Sequence, residues 1–203
     1  MIILPFYQKG DLEVVVPQVE RCLAEAGVVL LPTETFYGLA CNPYLEEAVS
    51  RVFDLKGRPR DMRLPVLAAD WAQVDRLTVV PEGWRDCLVD LWPGALTAVL
   101  PVRRSFLSLG ATVAVRIPGH ELLRQLLAVT GPLTGTSANR HGDQPTIDLG
   151  GAMRSLIGDP ALALDGGPSP GGHPSTLVDL TETTARVLRQ GVEMWNQSRK
   201  YGV

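Results

Sequence analysis

The sequence predicts an α/β fold in which a twisted mixed β-sheet is flanked by helices. Three observations support this prediction. Strand-like and helix-like hydrophobic segments follow one another without strict alternation, which favours a mixed sheet over a purely parallel one. The 203 residues are enough for one domain with a substantial core, and we expect a single domain over residues 1–203. The 20 glycines and 16 prolines predict many turns and loops around a cavity.

The hydrophobic pattern predicts each element in order. Residues 17–26 have helical spacing, with Pro17 suited to the first turn and Gly27 to the end. Residues 28–31 read as a buried strand that leads into a loop of sequence PTET. Further helices are predicted at 45–53, 71–77, 84–91 and 121–129, and further strands at 64–68, 96–102, 112–117, 133–136, 161–164, 176–180 and 186–188. Residues 196–203 are expected to form a loosely held tail.

Composition and charge exclude several classes of protein. The formal net charge of −3 argues against a surface coated by nucleic acid, although it allows a local basic groove. The three cysteines show no metal-binding or redox spacing, so we expect reduced, mostly buried thiols. No segment resembles a signal peptide or a membrane span, which predicts a soluble cytoplasmic protein.

The motifs that the chain lacks narrow the chemistry further. It has no GxxxxGK[ST] phosphate loop, no GxGxxG after a strand and no HExxH, and its three histidines are scattered. The run GTSAN at 135–139 superficially resembles a nucleophile elbow, but Asn139 stands where that motif requires glycine. We therefore interpret Ser137 as a hydrogen-bond donor to phosphate rather than as a covalent nucleophile.

The side chains that remain as candidates for the chemistry are cations and short polar groups. The tripeptides KGR at 56–58 and SAN at 137–139 each follow a predicted element, and together they suit a polyphosphate. Arg116 ends the apolar run VAV at 113–115, so it should be buried and need an anionic partner. Lys56, Arg58, Arg116 and Arg189 are candidates for binding a triphosphate, a carboxylate and a leaving pyrophosphate. Such a set suits nucleotidyl transfer, which depends on positioning and charge neutralisation.

Two further segments, the glycine-rich stretch 165–172 and the segment at Ser175, are candidates for shaping the site. The glycine-rich stretch 165–172 either lets backbone amides approach a ligand or forms a mobile loop, and the sequence leaves both open. Ser175 opens a predicted strand, where a hydroxyl facing the cavity would meet a small substrate.

The ordered set of motifs resembles the YrdC-like family of threonylcarbamoyl-AMP synthases, from near residue 12 to near residue 192. The motifs are PTETFYGL at 32–39, KGR at 56–58, WPG at 92–94, VAVR at 113–116, SAN at 137–139, PST at 174–176 and LR at 188–189. Several motifs in the right order are far more specific than any one of them. The resemblance implies an open, twisted α/β sheet around a large, concave, positively charged cavity.

The resemblance also implies roles for individual residues. Lys56, Arg58, Ser137 and Asn139 match the Lys-x-Arg and Ser-x-Asn signature that contacts ATP, with Lys56 and Arg58 as the catalytic pair. Thr112 and Arg189 match positions that touch the nucleotide. Thr35, Arg116 and Ser175 would surround threonine or its carbamate, and Gly135 would approach threonine through its backbone. Loss of the Lys56 or Arg58 charge is expected to lower turnover by orders of magnitude and leave the fold intact.

The implied reaction joins L-threonine, bicarbonate and ATP into threonylcarbamoyl-AMP and releases pyrophosphate, with Mg²⁺ assisting. The product would pass to partner proteins that transfer the threonylcarbamoyl group to tRNA, and weak tRNA binding is left open. No membrane partner is implied.

The chain also departs from the family pattern. Met62 stands where some relatives carry asparagine or lysine, and Leu67 where some carry histidine near threonine. The segment 60–63 is therefore left out of the predicted site. The chain ends at Val203, so it resembles the short form of the family rather than relatives with an extra C-terminal domain.

Two other functions compete with the synthase. One is a module that binds double-stranded RNA or tRNA without turnover, against which the acidic net charge and few aromatic residues argue. The other is a carbamoyl transferase that acts on a different carrier, because related domains occur in hydrogenase-maturation proteins. Those proteins carry zinc-finger and acylphosphatase-like modules that this sequence lacks.

Overall fold

Two mixed β-sheets form the framework in a computed structural model that describes residues 1–103 and 110–195. In chain order the strands are β1 (Ile2–Pro5), β2 (Val29–Leu31), β3 (Gly38–Ala40), β4 (Val66–Leu67), β5 (Leu96–Pro101), β6 (Thr112–Arg116), β7 (Leu133–Thr134), β8 (Thr136–Ser137), β9 (Leu162–Asp165), β10 (Thr176–Asp179) and β11 (Arg186–Arg189). The helices are α1 (Leu12–Ala24), α2 (Glu46–Lys56), α3 (Trp71–Leu77), α4 (Arg85–Leu91), α5 (Glu121–Thr130) and α6 (Leu149–Ser155).

Each sheet combines parallel and antiparallel pairs. The first has the order β1-β9-β2-β3-β8, with β1, β9 and β2 parallel and the last two pairs antiparallel. The second has the order β11-β10-β5-β6-β4-β7, in which β5 and β10 are parallel and β5 and β6 antiparallel. The predicted mixed α/β fold is confirmed, although its strands divide between two sheets where the sequence analysis expected one.

Gly135 is the point at which the chain passes from one sheet to the other. Leu133–Thr134 pairs with β4 in the second sheet, and Thr136–Ser137 pairs with β3 in the first. The sequence predicted one continuous strand over 133–136, because hydrophobic periodicity does not reveal a change of pairing partner. The two sheets consequently meet beside residues 135–137.

The start of α1 differs from the prediction. The helix begins at Leu12, so Pro17 lies inside it rather than in its first turn. A short 3-10 helix over Lys9–Asp11 precedes it, and the Asp11 carboxylate accepts hydrogen bonds from the Tyr7 and Gln8 amides at 2.7 and 3.1 Å. This carboxylate organises the entry to the helix, which an argument based on Pro17 could not anticipate.

Besides the 3-10 helix, three further elements were not predicted, for separate reasons. Strand β1 lies at a sheet edge with exposed isoleucines, so it shows no burial pattern. Strand β3 is three residues long and includes Gly38. Helix α6 begins with Leu-Gly-Gly, a poor helical sequence, but the Asp148 side chain caps it by accepting from the Gly151 amide at 2.7 Å.

The end of α2 separates two residues of the KGR tripeptide. Gly57 adopts the left-handed conformation, with φ 58°, and ends the helix there. The Arg58 amide then bonds back to the Phe53 carbonyl at 3.0 Å. Because of this turn, Lys56 belongs to the buried last turn of the helix and Arg58 to the following loop.

Helices cover the sheets and complete the core. Helices α1 and α5 pack together on the first sheet, around Val15, Val19 and Leu126. A second cluster packs Leu88 and Trp92 against strands of the second sheet. In the stretches that the structure describes, no helix has both the length and the apolar character needed to cross a membrane. The predicted tail at 196–203 lies outside the described residues.

Candidate active site

A cavity of about 510 Å³ opens where the two sheets meet. Strand residues of both sheets line it, among them Gly38 from β3 and Leu177 from β10. Eight of the ten site residues predicted from the sequence also line it: Thr35, Arg58, Arg116, Gly135, Ser137, Asn139, Ser175 and Arg189. The structure therefore gathers residues that lie up to 154 positions apart (189 − 35) around one recess.

Lys56 stands behind the cavity wall rather than in it. Its side chain is buried, and its ammonium donates hydrogen bonds to the carbonyl oxygens of Ser137 and Asn139, the latter at 2.7 Å. Burial, with a smaller effect of the nearby Arg58 charge, lowers the pKa of Lys56 to about 8. The KGR lysine thus holds the SAN turn in place, and direct contact with ATP stays a prediction.

Arg58 lines the cavity beside this turn. Its guanidinium donates to the Thr136 hydroxyl at 3.3 Å and to the Arg63 carbonyl at 3.0 Å. The buried Nε has no hydrogen-bond partner among the described residues, and burial lowers the pKa of the guanidinium. A half-buried cation without a carboxylate partner among the described residues is well suited to bind an anionic ligand.

The SAN turn presents further polar groups to the same recess. The Asn139 amide nitrogen donates to the carbonyls of Arg140 and Asp143, both at 2.8 Å, which fixes the orientation of the side chain. Its Oδ1 is consequently left buried without a partner among the described residues. Ser137 adds a hydroxyl from the cavity wall. A ligand with hydroxyl or amino hydrogens would satisfy Asn139, and a phosphate would accept from Ser137.

Arg116 lines the cavity from the end of β6 in the second sheet. The structure supplies the anionic partner that its burial required, because its Nη2 bonds the Glu34 carboxylate. Its Nε donates to the Gly94 carbonyl at 3.0 Å. Two of its three nitrogens are thus used to hold the guanidinium, while Nη1 makes no hydrogen bond to a described residue.

Arg189 and Ser175 lie next to one another on the cavity wall. Arg189 donates to the Ser175 carbonyl at 2.9 Å and to its hydroxyl at 3.2 Å. The same hydroxyl is 2.9 Å from the Thr97 hydroxyl. Burial, and secondarily the Arg116 charge, lowers the pKa of Arg189. Arg116 and Arg189 therefore act electrostatically on the same region, and together they favour a carboxylate there.

Hydrogen bonds within its own loop position Thr35. The Thr33 hydroxyl accepts from the Thr35 amide at 3.1 Å and donates to the Phe36 carbonyl at 2.7 Å. The glycine-rich stretch supports the loop from outside, since the Gly171 amide donates to the Thr35 carbonyl at 2.8 Å. No residue of 165–172 is in the cavity lining, so this stretch braces the site loop instead of touching a ligand there.

Arg63 was excluded from the predicted site, yet it lines the cavity. Its guanidinium donates to the backbone oxygen and to the hydroxyl of Thr112, at 2.8 and 3.2 Å. Thr112 itself is not among the cavity-lining residues, so its contact with a nucleotide stays a prediction and its observed partner is Arg63. Because Arg63 lies in an irregular loop, no hydrophobic pattern around it marked its position in the sequence.

Gly135 and Leu67 fill the floor of the cavity together. A Cβ atom at position 135 would lie 2.4 Å from the Leu67 Cγ, so no larger residue fits beside this leucine. The Gly135 amide is fixed by a 2.8 Å bond to the Pro65 carbonyl. An apolar wall thus lies next to Arg116, which pairs in register with Leu67 across β4 and β6.

The charge balance of the lining defines the class of ligand. Four arginines from three segments of the chain reach the cavity, namely Arg58, Arg63, Arg116 and Arg189, and Asp143 is the carboxylate in its lining. With hydroxyls beside the cations and an apolar floor, the fold and the site define a protein that binds a small polyanion together with an amphiphilic molecule.

The chain belongs to the Sua5/YciO/YrdC family. The model of this family, described as "Telomere recombination", matches residues 21–191. A threonylcarbamoyl-AMP synthase of Pseudomonas aeruginosa is 37% identical over 175 residues, which are 83% of this chain and 93% of the relative. The threonylcarbamoyl-AMP synthase of Bacillus subtilis is 36% identical over 183 residues, 87% of this chain and 53% of the relative.

Solved structures show the same fold. The crystal structure of Pyrococcus abyssi Sua5 complexed with L-threonine superimposes with a TM-score of 0.83 at 32% identity, and the match covers 94% of this chain. This chain spans 58% of the length of that protein. The family resemblance seen in the ordered motifs is therefore confirmed by both kinds of comparison.

Proposed function

We propose that this chain is an L-threonylcarbamoyladenylate synthase, a nucleotidyltransferase that forms threonylcarbamoyl-AMP and pyrophosphate from L-threonine, bicarbonate and ATP. The observation that supports this function most directly is the single cavity shared by Arg58, the SAN turn, Arg116 and Ser175. The relatives named as threonylcarbamoyl-AMP synthases support the same reaction.

The phosphates of ATP are assigned to the end of the cavity formed by Arg58 and the SAN turn. Arg58, desolvated and without a carboxylate partner, would stabilise negative charge on the leaving pyrophosphate. Ser137 would donate to a phosphate oxygen, and Asn139 Oδ1, which has no partner among the described residues, would accept from the nucleotide. Arg63 extends this cationic wall, and Thr112 holds Arg63. Lys56, which is not in the cavity lining, would act indirectly by holding the SAN turn through the Ser137 and Asn139 carbonyls.

The amino acid is assigned to the end formed by Arg116, Ser175 and Thr35. The uncommitted Nη1 of Arg116 would bind a carboxylate or carbamate, with Arg189 adding charge nearby. Gly135 lets the backbone approach closely, and Leu67 gives the apolar methyl of threonine a wall to contact. The Ser175 and Thr35 hydroxyls supply the remaining polar contacts.

The chemistry requires two bond-forming steps. The neutral amine of threonine condenses with bicarbonate, which forms an N–C bond, releases water and leaves a carbamate anion. A carbamate oxygen then attacks the α-phosphorus of ATP, and the bond to the β-phosphate oxygen breaks as pyrophosphate leaves. The protein contributes alignment and charge neutralisation, and the recess limits the access of water to a mixed anhydride.

Mg²⁺ fits this site as an ion carried by the triphosphate. Among the described residues no group of three histidine, cysteine, aspartate or glutamate side chains is placed to hold a metal, and Asp143 is the carboxylate of the lining. Mg²⁺ commonly relies on one carboxylate together with substrate phosphates and water, which this donor set allows. Bound there, it would neutralise phosphate charge alongside Arg58.

The product defines the partners that this proposal needs. A mixed carbamic–phosphoric anhydride hydrolyses readily, so a transferase that modifies adenosine in tRNA would have to accept it soon after release. In this proposal, weak tRNA binding by this chain would serve to deliver threonylcarbamoyl-AMP to the transferase.

The test is pyrophosphate release with ATP, Mg²⁺ and bicarbonate in the presence of each amino acid in turn. We expect release that requires both threonine and bicarbonate, with threonylcarbamoyl-AMP detected by mass spectrometry. Release without an amino acid, or a carbamoyl product on another acceptor, would indicate the carrier transferase. Salt-sensitive tRNA binding with no turnover would indicate the RNA-binding module.

The close contact between Gly135 and Leu67 gives a prediction about the amino-acid end. Gly135→Ala is expected to lower threonine-dependent turnover by about 100-fold, because the added methyl forces Leu67 and the backbone apart by a sizeable fraction of an ångström. Steady-state pyrophosphate release measures this effect, with Gly10→Ala as the control, since a Cβ there meets nothing within 4 Å.

Shortening the opposing side chain provides the second half of this test. The double variant Gly135→Ala/Leu67→Ala removes the clashing atoms and should recover much of the lost turnover. A folded double variant no more active than Gly135→Ala, while Leu67→Ala alone keeps most of the turnover, would show that Leu67 is not the source of the defect.

A further inference from the structure

Glu34 lies in the PTET motif, but no role was assigned to it from the sequence. Its carboxylate oxygen Oε1 accepts two hydrogen bonds, one from Arg116 Nη2 and one from the Gly119 amide. The second oxygen, Oε2, is buried and has no partner among the described residues. The exposed fractions of the Arg116 and Glu34 side chains are 8% and 20%, so water screens this ion pair little.

A contribution to the stability of the fold does not by itself explain the Glu34–Arg116 ion pair. Removing two charges from water costs free energy that their attraction repays only when the remaining polar atoms are satisfied. Here Glu34 Oε2 is buried and has no partner among the described residues. A hydrophobic pair of the same volume would stabilise the fold as well or better.

The geometry of Arg116 shows what the pair achieves. The guanidinium is planar, so holding Nε through the Gly94 carbonyl and Nη2 through Glu34 fixes the whole group. The nitrogen left over is Nη1, on a residue that lines the cavity. Gly119 leaves room for the Glu34 side chain, because a Cβ at position 119 would lie 3.2 Å from the Glu34 Cγ and would displace it slightly.

We propose that Glu34 is a positioning residue that holds Arg116 for recognition of the amino-acid carboxylate or carbamate. This inference rests on the proposed function and adds to it a residue that acts through Arg116. Without the carboxylate, Nη2 of Arg116 would lose its charged partner, and the contact of Arg116 with the amino acid would weaken. The ATP end, formed by Arg58 and the SAN turn, does not contact Glu34 and should keep its affinity.

The test compares Glu34→Gln with wild type. The amide keeps the size of the side chain and removes its charge. We expect the KM for threonine, and the Kd for threonine measured by calorimetry without ATP, to rise about 10- to 100-fold, as for loss of a charged hydrogen bond. The KM for ATP should change less than about twofold, since that end is untouched.

Two controls separate positioning from a general structural defect. Glu47→Gln removes the carboxylate of an exposed Glu–Arg pair on α2 and should leave both KM values unchanged. The double variant Glu34→Gln/Arg116→Lys should have nearly the same threonine affinity as Arg116→Lys alone, because the guanidinium that Glu34 positions is already gone.

The outcomes distinguish this inference from the proposed function. Suppose that wild type shows threonine-dependent turnover and that Glu34→Gln leaves the threonine KM and Kd unchanged. This result would overturn the positioning role and leave the proposed function standing. A parallel rise of both KM values with a lowered melting temperature would also overturn it, by showing a structural defect. Wild type without threonine-dependent pyrophosphate release would overturn the proposed function and this inference together.

Discussion

Replacing Arg58 with alanine is expected to lower pyrophosphate release by about 1000-fold while the protein stays folded. Arg58 lines the cavity, and among the described residues it has no carboxylate partner and its buried Nε has no hydrogen bond. These features indicate that its charge is available to a ligand. Removing it leaves charge on the leaving pyrophosphate uncompensated, which raises the barrier to phosphorus–oxygen cleavage.

The fold should tolerate this change for the same reason. Arg58 makes two hydrogen bonds with uncharged groups, and burial disfavours its charged form. Single-turnover pyrophosphate release and thermal melting measure the two effects separately. Arg60→Ala is the matched control, because Arg60 lies two residues away, is exposed and pairs with Asp54. If Arg58→Ala released pyrophosphate at the wild-type rate, Arg58 would not bind the triphosphate.

Replacing Lys56 with methionine is expected to lower turnover by about 100-fold through displacement of the SAN turn. The ammonium holds the carbonyls of Ser137 and Asn139, and methionine of similar length offers no donor. The sequence suggested loss of a catalytic charge from an otherwise intact protein. The structure predicts instead that two buried carbonyls are left unpaired, so stability should also change.

The pH dependence of stability distinguishes this role. The pKa of Lys56 is about 8 in the fold against 10.5 for an ordinary lysine, so between these values the unfolded chain binds a proton that the folded chain lacks. Wild type should therefore gain up to about 3 kcal/mol from this group as pH rises from about 8 to 10.5. Below pH 8 the fold carries the cost of the buried charge.

The difference in unfolding free energy between wild type and Lys56→Met should accordingly widen from pH 7 to pH 10. Urea denaturation at several pH values measures it, and subtracting the two proteins removes the contribution of other titrating groups. Lys9→Met, which removes an exposed lysine, is the control measured in the same way. A difference between wild type and Lys56→Met that does not change with pH would mean that Lys56 titrates normally.

The sequence predicted most of the site because its cations and hydroxyls come in short motifs. KGR, SAN and VAVR each place a polar residue just after a predictable element, and the ordered motifs carried the family resemblance. Arg63 and Glu34 were not assigned because a charged residue in a loop looks the same in sequence whether it faces water or a cavity. Only the fold shows that Arg63 lines the cavity and that Glu34 bonds to Arg116.

Local patterns also determined the mixed α/β class and most helices, since hydrophobic periodicity reports which face of a segment is buried. They did not determine how strands pair, so the division into two sheets and the crossing at Gly135 depended on tertiary structure. Tertiary structure also decided that Lys56 and Arg58 of the KGR tripeptide have different roles. The left-handed turn at Gly57 sends Lys56 into the interior and Arg58 to the cavity, because contacts distant in sequence decide where each charge is stabilised.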